Sequence, residues 1–135
     1  MSNWDSLTEA TIDGIRLDPI KKELRIEVTC VFLGEERKQL VAKGVEDVLL
    51  TEMRMSNIID RITRLEVGGD NCKEVSAARS LFFMMRGREP SEADLQWPEL
   101  EKKLAQVRNG TLTLIELEPV YGASITILAE NIYLE

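Results

Sequence analysis

The chain has 135 residues, of which 44% are hydrophobic and 30% charged, and these values are typical of one globular domain rather than a disordered chain. Its 24 acidic residues exceed its 17 lysines and arginines, which disfavours nucleic acid as a partner because phosphates attract a basic surface. No apolar run is long enough to span a membrane, and the first residues lack the features of a signal peptide. We therefore expect a soluble, cytoplasmic protein without membrane contact.

The N-terminal part of the sequence predicts a β-hairpin. Residues 10–18 form the first strand and residues 23–33 the second, joined by a turn that begins at Asp18-Pro19. In the second strand, apolar residues from Leu24 to Phe32 alternate strictly with mostly polar ones. This period of two indicates a strand with one buried face and one wet face.

The middle of the sequence gives weaker patterns. Residues 39–43 and 45–53 are predicted to be extended, with a bulge at Gly44, although some apolar positions also fit a helix face: Val45, Leu49 and Met53. Ser56 to Leu65 is predicted to be an amphipathic helix capped by Ser56 and ended by Gly68–Asn71. The helix prediction rests on apolar residues at helical spacing: Ile58, Ile59, Ile62 and Leu65.

The following region is predicted to be helical. Residues 73–87 fit either a helix or a buried strand, and the apolar face from Val75 to Met85 favours the helix. Ser91 begins a helical turn and Pro98 is well placed as the first residue of another helix, which Asn109-Gly110 ends.

The stretch 111–135 predicts two strands joined by the loop Pro119–Ala123. Their alternation is imperfect, so either both faces are covered or a bulge near residues 128–131 shifts the register. The predicted fold is α+β: a mostly antiparallel sheet made of an N-terminal hairpin, middle strands and a C-terminal hairpin, with two or three helices packed mainly on one face. We expect one domain, residues 1–135.

The sequence carries no recognisable catalytic motif. Histidine is absent, which removes the commonest general base and metal ligand. Cys30 and Cys72 are far apart and form no zinc or redox motif, and no phosphate-binding loop is present. The carboxylate pairs Glu35-Glu36 and Glu46-Asp47 are interpreted as solvated side chains. We expect no catalytic residue, no bound metal and no cofactor.

The charge distribution indicates a surface for a basic partner. Residues 1–15 and 109–135 contain no lysine or arginine, and their acids account for the whole negative excess. If these segments are adjacent in the fold, they form an acidic surface that steers a basic protein towards it. The candidate partner-binding residues are Asp13, Glu116, Glu118, Tyr121 and Glu130.

Aromatic residues are enriched at the centres of interfaces. We expect Tyr121 to be presented by its rigid loop, whereas Trp97 and Tyr133 are expected to pack in the protein. Trp4 lies in a terminus for which we expect disorder.

As a type, the chain resembles the small acidic bacterial immunity proteins, including those paired with contact-dependent inhibition toxins. Three segments carry the resemblance: the strand Glu23–Phe32, the predicted helix Ser56–Leu65 and the ending Tyr121–Ile127. The resemblance implies a non-catalytic protein that binds one toxin domain, often a basic nuclease, and blocks its active site.

Two other classes of function stay open. The chain could be a small-ligand-binding or regulatory domain with a pocket between helix and sheet, or an enzyme that uses carboxylate or arginine side chains. A deep polar pocket with perturbed carboxylates would favour either of these over a protein-binding module.

Overall fold

The computed structural model describes residues 3–31, 34–67 and 71–135. A 3-10 helix, Asn3–Leu7, precedes four strands, and the helices separate these from the last two strands. The strands are β1 Thr11–Asp18, β2 Glu23–Cys30, β3 Glu36–Thr51, β4 Ile58–Leu65, β5 Thr113–Tyr121 and β6 Ser124–Leu134; the helices are α1 Asn71–Arg86, a 3-10 turn Asp94–Gln96, and α2 Pro98–Arg108. Within the described residues, no helix is both long and apolar enough to cross a bilayer.

The six strands close into a barrel in the order β1-β2-β3-β6-β5-β4, and every neighbouring pair is antiparallel. The predicted antiparallel sheet with helices is thus confirmed, but its closure was not predicted. The junction between β1 and β4 is narrow, with Thr11 opposite Ile58. The backbone N–H groups of Glu9 and Ile12 extend it by donating to the carbonyls of Ile59 and Asn57.

Two apolar cores hold the fold together. The first fills the barrel with inward residues of all six strands and with Leu7 of the N-terminal 3-10 helix. The second lies between the helices and the outer barrel wall, where Leu81, Phe82, Leu100 and Leu104 pack near Leu114 and other wall residues. The apolar face of a helix or a sheet must pack against another element to be removed from water. The packing of the helices on the barrel wall therefore stabilises both.

Strand β6 is covered on both faces near its middle, and its inward face changes between Ala129 and Ile132, because Ile132 and Leu134 also pack against the barrel core. Ile125 and Ile127 point into the barrel core, whereas Leu128 packs in the outer core beneath the helices. The register does shift here, but between Val45 and Asp47 of β3, opposite Leu128 and Ala129. The extra residue is therefore Glu46 of β3, two residues after the position predicted for the bulge, Gly44. Gly44 itself has φ of +64°, which only glycine adopts readily.

The predicted helix Ser56–Leu65 is wrong, because this segment forms strand β4 and pairs with β5. The register is irregular between Ile59 and Arg61. Both Ile59 and Ile62 consequently pack against the barrel core although they are three residues apart. A bulge thus produces a spacing that resembles a helix face, and the β-branched isoleucines fit the strand.

The other segments follow the sequence with smaller corrections. Residues 73–86 are helical, as predicted, with Gly87 just beyond the end of the helix, and α2 begins at Pro98 and ends before Asn109-Gly110. The loop Pro119–Ala123 is wrong in extent, since β5 continues to Tyr121 and Pro119 lies opposite Ile59. The expected strand residues Phe32 and Leu33, the predicted turn Gly68–Asp70 and the side chain of Cys72 lie outside what the structure describes.

Candidate functional site

Two connections lie side by side at one end of the barrel, which we call the turn end: residues 52–57 and 122–123. They are adjacent because Thr51 pairs with Ser124 and Ile58 pairs with Tyr121. Four of the eight large hydrophobic side chains described as exposed are on or next to these connections: Met53, Met55, Val120 and Tyr121. Met55 is fully exposed, at 102%. Such clustering at one end is typical of an interaction surface.

Tyr121 is presented at the turn end by a fixed backbone. It is the last residue of β5 and its side chain is about half exposed. The guanidinium carbon of Arg54 lies 5.8 Å from the centre of its ring, within the range of a cation–π interaction. Arg54 belongs to the β3–β4 connection, so this contact joins that connection to the end of β5.

Asn57 joins the two connections through hydrogen bonds of its side chain. Its side chain is buried; Oδ1 accepts the backbone N–H groups of Arg54 at 3.0 Å and Ala123 at 2.8 Å, and Nδ2 donates to the Arg54 carbonyl at 2.7 Å. Sequence reasoning missed Asn57 because it lay within the predicted helix. Its position directly before two isoleucines was the available signal, since asparagine in such a place favours a turn over a helix interior.

A groove lies between α1 and the outer faces of β3, β6 and β5. Its cavity volume is about 330 Å³, and its lining is mostly polar: Leu49, Thr51, Ser76, Arg79, Ser80, Phe83, Glu89, Glu116, Ser124 and Thr126. Glu116 projects into it from β5 and is only partly exposed. Burial, and secondarily the charge of Glu118, raises the pKa of the Glu116 carboxyl. This is the site where helix and sheet enclose a perturbed carboxylate.

Glu118, two residues along the same strand, has a different environment. Its carboxylate accepts the Thr63 hydroxyl at 2.5 Å and the Arg61 guanidinium at 2.9 Å. The Thr63 hydrogen bond is the main cause that lowers the pKa of Glu118, and Arg61 adds to it. Glu116 therefore has an unpaired carboxylate, whereas the carboxylate of Glu118, on the same strand face, is paired with Arg61 and Thr63.

The remaining candidates are dispersed over the barrel. Asp13 accepts the hydroxyls of Thr29 at 2.5 Å and Thr11 at 3.2 Å, and it lines a second groove of about 640 Å³. Glu130 is exposed on β6, beside Gly44. Apart from Glu116 and Glu118, which are neighbours on β5, the candidate residues occupy separate places, and none of the described grooves is lined by two of the five.

The two acidic terminal segments do meet, but together with basic residues. Asp13 and Glu135 line the same groove as Arg37 and Lys38. The Glu135 carboxylate is also paired with Arg25 at 3.0 Å. The negative excess of the termini is therefore partly neutralised where the segments come together.

The other aromatic residues have packing roles. Trp97 packs edge-on against Phe82 with ring centres 6.0 Å apart, and Arg86 stacks on its indole at 5.4 Å. The disorder expected for Trp4 is wrong: it lies in the N-terminal 3-10 helix and packs against the barrel core. Tyr133 is half-buried on β6 opposite Val41.

The described residues contain no group of three or more cysteine, aspartate or glutamate side chains that could hold a metal ion. Cys30 is buried in the barrel core, and burial raises the pKa of its thiol. Of the paired carboxylates, Glu46 binds Lys103 of α2 at 2.7 Å, while burial raises the pKa of Asp47.

Comparison with known proteins gave no match among protein-family models, curated proteins or solved structures.

Proposed function

We propose that this chain is a non-catalytic protein-binding module whose contact surface is the turn end of the barrel. Its most concrete form is an immunity protein that binds a toxin domain and blocks it. The exposed apolar cluster at the turn end is the observation that carries the proposal, because a soluble surface rarely gathers half of its large exposed hydrophobic side chains in one place.

The residue types at the turn end support a protein as the ligand. Tyrosine, methionine and arginine are enriched at interface cores, and Tyr121, Met53, Met55 and Arg54 supply all three types. Tyr121 has few rotatable bonds and is braced by Arg54, so binding costs little conformational entropy. The flexible methionines can adapt their shape to a partner.

The net charge of −7 favours a basic partner. Electrostatic attraction of this kind mainly accelerates association, whereas the apolar contacts slow dissociation. The terminal acids therefore serve as a steering charge in this proposal, and the turn end provides the buried contact.

The test is capture of partners from the native cell on the immobilised chain, carried out with the unchanged protein and two variants. Met55→Ser with Tyr121→Ser should reduce capture of a stoichiometric basic protein at least tenfold, because central interface side chains each contribute more than about 1 kcal/mol. Val75→Ser is the matched control, since Val75 is similarly exposed but lies on α1.

The immunity role needs a second measurement. Expression of the captured partner alone should arrest growth, and co-expression of the unchanged chain should restore it, whereas the turn-end double variant should not. A partner captured equally by both variants would count against the turn end as the contact surface. A captured partner that never impairs growth would exclude the immunity role while leaving a binding module.

The groove beneath α1 favours a second candidate, a small-ligand-binding or regulatory domain. The observation behind it is the unpaired, partly buried Glu116 in a cavity of about 330 Å³, which lies at the lower end of the size range of ligand sites. The test is whether the purified chain binds a small ligand. The second candidate requires such binding, whereas the first requires only a protein partner.

A further inference from the structure

The polar side chains of the groove are available for a ligand. Within the part of the chain that the structure describes, Glu116 and Arg79 form no ion pair or hydrogen bond through their side chains. Thr126 lines the groove and is only 7% exposed, and its hydroxyl makes no described hydrogen bond within the protein. The hydroxyl oxygen itself is not fully buried, so it faces the groove and can accept a hydrogen bond from a molecule bound there.

The charges of the groove select a cation. Glu116 is the one charged group of the lining that is not freely exposed, while Arg79 and Glu89 lie at the exposed rim. Removing a carboxylate from water is costly unless a positive partner replaces the lost hydration. The Glu116 carboxylate would repel an anion, whereas a cation would offset the free-energy cost of burying that carboxylate.

The rest of the lining fits an organic cation rather than a metal ion. Hydroxyl groups surround the groove and can accept N–H donors: Thr51, Ser76, Ser80, Ser124 and Thr126. Phe83 and Leu49 provide apolar surface for a short alkyl chain, and an aromatic ring also attracts an ammonium group. The volume of about 330 Å³ has room for roughly ten water molecules.

We infer that this groove binds a small organic cation whose primary ammonium group pairs with the Glu116 carboxylate and whose alkyl chain lies along Phe83. The Thr126 hydroxyl accepts a second N–H of the ammonium group. This inference does not rest on the proposed protein-binding function, which involves other residues at the turn end.

The experiment titrates the intact chain with diaminobutane and, as an uncharged control of the same length, with butanediol. Calorimetry gives the affinity, and the NMR signals of the Ser124 and Thr126 amides locate the site. The diamine should bind and shift both signals, whereas the diol should do neither. A third ligand, lysine blocked at its α-amino and carboxyl groups, tests whether the ammonium comes from a protein side chain.

Variants assign the binding to the groove. Glu116→Gln should weaken diamine binding about tenfold or more, because a charge-assisted hydrogen bond is lost. Thr126→Val, which keeps the shape of the side chain, should weaken it less. Glu130→Gln is the matched control: it removes the same charge from an exposed position on β6 outside the groove, so the affinity should be unchanged.

Three results would overturn the inference: no diamine binding up to about 10 mM, unchanged affinity in Glu116→Gln, or an equal loss in Glu130→Gln, which would indicate general charge attraction. Tighter binding of the blocked lysine than of the diamine would support the same ammonium chemistry and assign its source to a protein. Binding of the diamine alone would assign it to a free amine.

Discussion

Asn57 lies directly beneath Gly122, and its Oδ1 accepts the N–H of the next residue, Ala123, at 2.8 Å. A Cβ on Gly122 would meet Oδ1 and would stand 2.8 Å from the Ser56 carbonyl oxygen. Gly122 also has φ of +89°, which disfavours other residues. The shape of the turn end therefore depends on one asparagine and one glycine from different connections.

Gly122→Ala should lower the free energy of unfolding by about 2–4 kcal/mol, because backbone strain adds to a clash with the Ser56 carbonyl. Chemical denaturation measures the change. Gly87→Ala is the matched control: Gly87 has φ of +74°, but nothing lies within 4 Å of its added Cβ. It should cost about 1 kcal/mol. Equal losses in the two variants would show that packing against Asn57 contributes nothing.

Asn57→Ala should lower the free energy of unfolding by about 1–3 kcal/mol, since it leaves the N–H groups of Arg54 and Ala123 without their acceptor. Hydrogen exchange of the Ala123 amide should accelerate as well. Asn57→Asp keeps an acceptor for both N–H groups but loses the donor to the Arg54 carbonyl, so its amide exchange should stay slower than that of the alanine variant. Equal exchange in both variants would contradict the role of Oδ1.

Glu116→Gln should stabilise the protein at neutral pH. The pKa of Glu116 is raised in the folded state. The protonated carboxyl therefore contributes fully to the free energy of unfolding only below the ordinary pKa of 4.5, and this contribution is lost as the pH rises through the folded pKa. The gain from glutamine should consequently shrink to nothing as the pH falls well below 4.5. Unfolding curves measured across this range test the sign.

Glu118→Gln should have the opposite effect on the same strand. The hydrogen bond from Thr63, with a smaller contribution from Arg61, lowers the pKa of Glu118 in the folded state. Its carboxylate thus contributes stability above the ordinary value of 4.5, and this is lost as the pH falls through the folded pKa. The glutamine variant should be less stable at neutral pH only. A change of the same sign as in Glu116→Gln would contradict the two environments.

Ile127→Ala and Leu128→Ala should each lower the free energy of unfolding by about 2–5 kcal/mol, although they are neighbours on one strand. Ile127 lies in the barrel core and Leu128 in the outer core, and both are fully buried. Glu130→Ala, exposed on the same strand, should change stability by less than about 0.5 kcal/mol. A tolerated alanine at position 128 would mean that the helices do not cover this face.

Local patterns determined much of this fold. Strand β2 was predictable because its buried residues alternate strictly, and α2 because Pro98 and Asn109-Gly110 mark its ends. The C-terminal hairpin was predictable from its β-branched residues and Gly122. The candidate residue Glu116 was selected for its charge alone, whereas its groove consists of residues distant in the sequence.

The tertiary structure decided the rest, because those features depend on how distant strands pair. The bulge in β4 gives Ile59 and Ile62 a helix-like spacing that only pairing with β5 resolves. Pairing of β4 with β5 brings Asn57 against the turn at Gly122, and the covering helix α1 turns a surface glutamate into a partly buried one. The sequence by itself determined residue types and local periods; register, closure and burial follow from contacts that no local pattern contains.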